Sequence, residues 1–204
     1  AAGVEGVVGI IIGTRPDCVP DSLLDRLITL PVPVMMEYGA ETSHDTTLTA
    51  INRCHTWAQT VDAVERTSAR GIDVGLHFIM GLPGETRAMM LETVRRAAAL
   101  PVSTVKFHQL QVIAGTPLAR EAVWSEDKSR ATFRGLPVQM FTVEEYVELC
   151  VEIVRELRQA NPAVAIERFT SQAPEGMLVA PRWGLKNYQF VNLLTNRFRQ
   201  IETE

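Results

Sequence analysis

The stretch HFIMGLPGET (residues 77–86) runs from large apolar residues through a turn and into a helical segment. In the turn, Gly81 and Gly84 stand on either side of a proline. Glycine lets a chain adopt positive φ angles and lets another group approach the main chain closely. Two glycines in one turn therefore predict either a tightly constrained connection or exposed amides that bind a polar edge of a ligand.

The same change from strand to helix recurs along the chain. VVGIIIGT (7–14) is a continuous apolar run, typical of a strand that is buried on both faces of a parallel sheet. Further strands are predicted at 32–39, 72–81, 103–113 and 163–171, and helices at 21–30, from Asp45, at 57–71, 85–100, 142–160 and 186–200. This alternation predicts an α/β fold built from right-handed βαβ units around a parallel sheet.

The regular alternation of predicted strands and helices ends after Pro117. Segment 124–140 is charged and irregular, which favours a loop excursion. Helix 142–160 is strongly amphipathic, and Thr142 with Glu145 has the spacing of a capping box at its beginning.

Composition excludes several classes of protein. The chain has 204 residues, 46% of them hydrophobic, and a net charge of -4, which argues against a nucleic-acid backbone as the main partner. It contains neither a membrane-spanning apolar run nor an N-terminal signal pattern. Cys18, Cys54 and Cys150 are far apart and odd in number, which favours a reducing, cytoplasmic location and predicts no metal site.

Candidate binding residues concentrate at the predicted carboxyl ends of four strands. These ends are GTRPD (13–17), EYGAET (37–42), GLPGET (81–86) and QVIAGTPL (111–118), all rich in glycine, proline, threonine and charge. Ligands of parallel α/β folds bind at that edge of the sheet. We therefore expect the four corners to converge on one rim.

Each charged residue in these corners also has a purely structural interpretation. Arg15 and Asp17 form either a local ion pair in a turn or a ligand contact. Glu37 interrupts an apolar strand, where a carboxylate is costly unless it is paired. Glu85 suits a helix N-terminus electrostatically.

No catalytic residue can be assigned from the sequence. His77 and His108 lie in predicted strands and are more typical of hydrogen-bonded polar residues than of metal ligands. No Ser-His-Asp or Cys-His spacing supports a nucleophile. The turn at 81–86 lacks the Lys-Ser/Thr pair of phosphate-binding loops.

Taken together, the corners resemble a known family. GTRPDCV, MMEYGAETSHDTTLTAINRCHT, GLHFIMGLPGET and VIAGTPLA resemble successive strand-end motifs of radical S-adenosylmethionine (SAM) proteins. The match is best to the uncharacterised, YhcC-like iron–sulfur oxidoreductases, which are similar to the catalytic subunit of Elongator and, more distantly, to oxygen-independent coproporphyrinogen oxidase. It covers residues 7–120 closely and extends loosely through MLVAPRW.

The resemblance implies a partial (β/α) TIM-like barrel of parallel strands that is truncated at its N-terminal side. Residues 1–118 would supply strands like the third to sixth of the family, and residues 119–204 a C-terminal extension of helix and strand that packs on the barrel. The exposed edge of the first strand would favour self-association.

The resemblance also assigns cofactor-binding residues. They are Arg15, Asp17, Glu37, Ile79, Gly81, Gly84, Val112 and Ile113. By carry-over, Glu37 lies near the ribose of SAM, the main chain around Gly81 lies beside the adenine, and Val112 with its neighbour packs on the adenine ring. Arg15 and Asp17 lie at the mouth of the barrel.

One family feature is missing from these 204 residues. The Cys-x-x-x-Cys-x-x-Cys motif that binds the [4Fe-4S] cluster is absent, and Cys54 replaces a glycine that usually precedes histidine. The resemblance thus implies part of an enzyme that, when intact, binds SAM and a [4Fe-4S] cluster and generates a deoxyadenosyl radical that abstracts a substrate hydrogen. The chain alone is expected to bind no cofactor and to be inactive. The substrate is unknown, and tRNA is a partner by family analogy only. The alternative to a radical SAM enzyme is a non-enzymatic half-barrel that acts as a binding or scaffold module.

Overall fold

The computed structural model describes residues 3–126, 130–173 and 176–203. Its strands are β1 Ile10–Thr14, β2 Val34–Glu41, β3 Asp73–Met80, β4 Thr104–Gln109, β5 Val112–Ile113, β6 Val123–Trp124, β7 Arg130–Phe133, β8 Leu136–Gln139, β9 Ala165–Arg168 and β10 Leu178–Ala180. Its helices are α1 Asp21–Leu27, α2 Asp45–Ala50, α3 Trp57–Ser68, α4 Arg87–Ala98, α5 Pro117–Glu121, α6 Val143–Ala160 and α7 Asn187–Ile201.

The central sheet has the strand order β1-β2-β3-β4-β9, and all its neighbours pair in parallel. Helices connect each strand to the next, so the carboxyl ends of the strands meet at one edge. This arrangement confirms the predicted α/β fold and is that of a partial (β/α) barrel.

The two faces of the sheet differ in polarity because alternate residues of a strand point to opposite sides. On one face, Tyr38, Leu76 and Phe107 are fully buried and belong to a core that includes residues of α3, α4, α6 and α7. The second face carries charged and imidazole side chains. The apolar face holds the sheet against its helices, and the second face is left for polar contacts.

Helix α6 covers the apolar face as the amphipathic pattern predicts. Leu149, Ile153 and Leu157 recur every four residues and are fully buried. At the beginning of the helix, the Thr142 hydroxyl accepts a bond from the Glu145 amide (3.1 Å), and the Glu145 carboxylate accepts one from the Thr142 amide (2.8 Å). The predicted capping box is confirmed.

The expected loop excursion at 124–140 is wrong. Strands β6, β7 and β8 form an antiparallel sheet in this segment. In β7, Ala131 and Phe133 are buried and their neighbours are exposed, which is the alternation of a half-buried strand. Arg134 and Gly135 join β7 to β8 with φ angles of 50° and 81°, as a two-residue hairpin requires.

The strand predicted at 103–113 is two strands. Strand β4 ends at Gln109 in the central sheet, and β5 pairs antiparallel with β10 in a separate two-stranded sheet. Val112 and Ile113 therefore lie beyond the parallel sheet rather than on one of its strands. They still follow the carboxyl end of β4.

The segment after residue 118 contributes to the central sheet through β9, which pairs with β4. The proposed division into 1–118 and 119–204 remains a prediction. At the other side, β1 is an edge strand whose Ile11 is 63% exposed, and self-association through it also remains a prediction. Among the described residues, no helix has both the length and the apolarity needed to span a bilayer.

Candidate functional site

Four charged or imidazole side chains from four neighbouring strands meet on the second face of the sheet. We call Glu37 of β2, His77 of β3, Lys106 of β4 and Glu167 of β9 the charge cluster. His77 and Lys106 are register partners across β3 and β4. Because these strands are adjacent, residues up to 130 positions apart in the chain come into contact range.

Glu37 is the centre of the charge cluster. One carboxylate oxygen lies 2.5 Å from Lys106 Nζ and the other 2.9 Å from His77 Nε2. Lys106 also lies 3.2 Å from a carboxylate oxygen of Glu167. Gly75 leaves the room for this arrangement, because a Cβ there would lie 3.3 Å from Glu37 Cγ and 2.7 Å from the Thr104 hydroxyl.

The charge cluster keeps Glu37 ionised. Burial alone would raise the pKa of its carboxyl, but the hydrogen bond and charge of Lys106, together with His77, lower that pKa below its ordinary value. The sequence left open whether Glu37 is paired within the protein or contacts a ligand, and the structure shows the pairing. A contact between Glu37 and a SAM ribose remains a prediction, and Glu37 lies in the middle of β2, four residues before its carboxyl end at Glu41.

Two imidazoles lie side by side next to the charge cluster. The rings of His77 and His108 have centroids 5.8 Å apart. Burial lowers the pKa of both, that of His108 to about 4, so both are neutral near pH 7. His77 is hydrogen-bonded as expected, whereas Nδ1 of His108 is buried and has no partner among the described residues.

A pocket of about 350 Å³ opens beside these rings at the carboxyl edge of the sheet. Its lining comprises Glu41, His77, Ile79, His108, Gln109, Leu110, Gln111 and Ser171. We call it the rim pocket. Of the residues predicted to bind a cofactor, only Ile79 belongs to this lining.

The corner after β2 is held by an ion pair that the sequence analysis missed. Arg53 Nη2 lies 2.8 Å from Glu41 Oε1 and 2.9 Å from the Gly39 carbonyl. Burial raises the pKa of Glu41 even though Arg53 opposes it. Arg53 lies in the quoted motif INRCHT, and Lys106 interrupts an apolar strand just as Glu37 does, so both carried a detectable signal.

At the first corner, the local interpretation is observed. The Arg15 guanidinium donates two hydrogen bonds to Asp17, at 2.9 and 2.7 Å. This bidentate pair raises the pKa of Arg15 and lowers that of Asp17. A ligand contact by either residue remains a prediction.

The turn at 81–86 is as constrained as its glycines suggested, with φ angles of 91° at Gly81 and 82° at Gly84. The group that approaches its main chain is another part of the same protein. The Gly84 amide donates to the Pro137 carbonyl (2.8 Å), and the Gly81 amide donates to Met90 Sδ (3.2 Å). Of the two interpretations that the sequence left open, the tightly constrained connection is therefore observed for these two amides, and contacts of SAM with this turn remain a prediction.

Glu85 ties the second and third corners together. Its carboxylate accepts a 2.5 Å hydrogen bond from the Thr42 hydroxyl, and burial raises its pKa. The last corner contributes Val112, which is fully buried in a second apolar cluster, and Ile113, which is partly buried. Their predicted packing on an adenine ring is not tested by these contacts.

The described residues do not fit an iron–sulfur cluster. Cys18 and Cys54 are exposed, and Cys150 is buried in the core, where burial raises the pKa of its thiol. No group of three potential metal ligands occurs among the residues the structure describes. The part of the chain that the structure describes therefore offers a polar pocket but no ligand set for a cluster.

Two relatives cover most of the chain. It is 32% identical over 193 residues to the uncharacterised protein YtqA of Bacillus subtilis (strain 168), a match that includes 94% of this chain and 56% of that protein. It is 33% identical over 186 residues to YhcC of Escherichia coli (strain K12), including 90% of this chain and 56% of that protein. The chain thus spans little more than half the length of these relatives.

Solved structures support the fold. An archaeal Methanocaldococcus infernus Elp3 with an N-terminal deletion superposes with a TM-score of 0.74 at 19% identity, covering 97% of this chain and 43% of that one. The radical SAM methyltransferase TsrM from Kitasatospora setae, with cobalamin and a [4Fe-4S] cluster bound, superposes with a TM-score of 0.55 at 13% identity, covering 91% of this chain and 42% of that one.

Two family models divide the chain between them. Residues 1–97 match the radical SAM superfamily, and residues 102–200 match the radical SAM C-terminal domain. The parallel sheet, the four corners on one edge and these two matches lead to the same assignment: the chain belongs to the radical SAM superfamily.

Proposed function

We propose that this chain supplies part of the SAM-binding surface of a radical SAM enzyme. In the intact protein, SAM bound to a [4Fe-4S] cluster would be cleaved reductively, and the resulting radical would abstract a substrate hydrogen. The cofactors carry that chemistry, and the protein contributes binding and orientation. The residues of this chain that would contribute are the eight predicted positions together with the rim pocket.

One observation carries the proposal: β1 to β4 are consecutive, adjacent and parallel. Their four carboxyl-end corners therefore lie along one edge, as the family resemblance requires. The rim pocket opens at this edge, and Ile79 lines it. Its lining combines the apolar side chains of Ile79 and Leu110 with polar groups that can form hydrogen bonds, as a site for a small ligand such as an adenosyl group needs.

Calorimetric titration of the chain with SAM tests the proposal. Because the chain offers only part of the surface, we expect it to retain no SAM on purification and to bind added SAM only weakly, with a Kd on the order of 0.1–1 mM. Ile79→Ala should weaken it about fivefold, as expected for lost apolar contact. Ile28→Ala is the matched control, because Ile28 is exposed and outside the pocket. Equal effects of the two substitutions, or no heat of binding, would contradict the proposal.

We further propose that the chain alone holds no cluster and has no activity. Its three cysteines are widely separated in sequence, and one is buried. Anaerobic reconstitution with iron and sulfide should leave well under one cluster per chain. Stoichiometric iron and sulfide would overturn this statement.

Binding of tRNA, proposed only by family analogy, is testable on the same sample by filter binding.

A further inference from the structure

His77 presents one ring nitrogen to the charge cluster and leaves the other without a partner. Nε2 lies 2.9 Å from Glu37, while Nδ1 makes no hydrogen bond within the described part of the chain. The side chain is 28% exposed and lines the rim pocket. A hydrogen-bonded histidine of the protein core has partners on both ring nitrogens, whereas His77 has a described partner on Nε2 alone.

The partner of Nε2 fixes the tautomer of the ring. An ionised carboxylate can only accept a hydrogen bond, so the proton of neutral His77 must be on Nε2. Nδ1 then carries a lone pair. Carboxylate–imidazole pairs hold the ring in one orientation and stabilise a positive charge on it when a proton arrives.

The titratable groups around His77 come from three other strands of the sheet. Glu37 lies on β2, Lys106 and the neutral His108 on β4, and Glu167 on β9. Lys106 keeps Glu37 charged, and Lys106 in turn pairs with Glu167.

We propose that Nδ1 of His77 accepts a hydrogen bond from an O–H or N–H group of an uncharged ligand in the rim pocket, with Glu37 as the positioning residue. When the ligand group is acidic enough, its O–H or N–H bond breaks and the proton forms a bond to Nδ1. The electron pair stays on the ligand, and Glu37 balances the imidazolium charge. This role goes beyond adenosyl binding and does not depend on it.

The rest of the pocket narrows the class of ligand. Gln111 Nε2 donates to the Ser171 carbonyl (2.9 Å), and the Ser171 hydroxyl donates to Gln111 Oε1 (3.2 Å). Because these side chains bond each other, they do not compete with His77 for the O–H or N–H group of the ligand. Ile79 and Leu110 provide apolar walls. The carboxylate of Glu41 disfavours an anion. A flat apolar body with one hydroxyl or N–H group, such as a phenol or an N–H heterocycle, fits these features.

The test uses two matched probes, 4-fluorophenol and 4-fluoroanisole, of which only the first has an O–H donor. Binding to the chain is followed by ¹⁹F NMR, and the imidazole nitrogens by long-range ¹H–¹⁵N correlation. We expect the phenol to bind at least threefold more tightly and to shift the Nδ1 resonance of His77. In the free protein, His77 should be the Nε2–H tautomer.

Substitutions separate positioning from direct contact. His77→Phe should remove the preference for the phenol, and Glu37→Gln should reduce it and populate the Nδ1–H tautomer. His44→Gln is the control, because His44 contacts the Met89 carbonyl outside the pocket. Circular dichroism establishes that each variant is folded; if His77→Phe fails to fold, the wild-type probe comparison and the tautomer decide.

Four results would each overturn the proposal. The two probes could bind equally, bind without shifting the His77 resonances, or fail to bind at millimolar concentration. The fourth result is an Nδ1–H tautomer of His77 in the wild-type protein. Failure of SAM to bind would not, since the probes report on His77 alone. The two proposals can therefore fail separately.

Discussion

At the scale of single residues, burial of polar groups is balanced by specific partners. Glu37 and Lys106 are both nearly buried, with side chains 8% and 14% exposed, and each is within contact of an opposite charge. Isolated charges at such positions would be strongly destabilising. The sequence indicated that Glu37 needs a partner, but the partner is 69 residues away and its identity depends on strand order.

Lys106→Met should lower the free energy of unfolding by roughly 3 kcal/mol, because it leaves the Glu37 carboxylate buried without its main partner. Urea denaturation at pH 7 measures this. Arg95→Met is the control: the ion pair of Arg95 with Glu156 is largely exposed and should contribute less than about 1 kcal/mol. Similar losses in the two variants would contradict the role given to Lys106.

Gly81→Ala should cost about 1–3 kcal/mol, because a residue with a Cβ is strained at a φ of 91°. The added Cβ would also lie 2.9 Å from the Phe141 ring. Gly13→Ala is the matched control, since a Cβ there meets nothing within 4 Å and the φ is not positive. Thermal unfolding of both variants provides the comparison, and an unchanged Tm for Gly81→Ala would refute the packing described for this turn.

At the scale of elements, helices and strands with strong local signals were predicted, whereas several of the shortest strands were not. Helix α6 begins and ends close to its predicted limits because its cap and its apolar stripe are local signals. Strands β5 to β8 have two to four residues each, too few for periodicity to distinguish them from a loop. The hairpin at Arg134–Gly135 carries only half of the usual signal, because a two-residue turn favours Asn, Asp or Gly at the position that Arg134 occupies.

Thr142→Ala should destabilise the protein by about 1 kcal/mol, because the Glu145 amide loses its hydrogen-bond acceptor. Chemical denaturation measures the change. Thr195→Ala is the control, since Thr195 lies inside α7, where its hydroxyl bonds the Val191 carbonyl one turn earlier and alanine is the better helix former. Equal destabilisation by both substitutions would show that the cap is not the cause.

At the scale of the whole molecule, the parallel sheet separates an apolar face, which packs on the helices, from a face that carries the charge cluster and the rim pocket. Burial of neutral imidazoles on that second face couples stability to pH. The folded protein binds fewer protons than the unfolded chain wherever the folded pKa of histidine is depressed, so stability falls as pH decreases through that window.

Stability should therefore decline between pH 6.5 and about 4. For His108, the difference between these two values corresponds to at most ~3 kcal/mol. The depressed pKa of Glu37 acts in the same direction at lower pH, whereas the raised pKa values of Glu41 and Glu85 oppose it. Urea titrations at several pH values should show a shallower decline in His108→Gln than in wild type. If the unfolding free energy depends on pH equally in both proteins, the decline cannot be assigned to His108.

The sequence by itself determined the alternation of strands and helices, the cap of α6 and the sharp turn at Gly81, because each depends on neighbours within a few residues. Tertiary structure decided which polar side chains meet. The contacts of Glu37 with His77 and Lys106, and of Gly84 with the Pro137 carbonyl, join residues 40 to 69 positions apart. Such contacts are set by strand order and register, which hydrophobic periodicity alone does not encode.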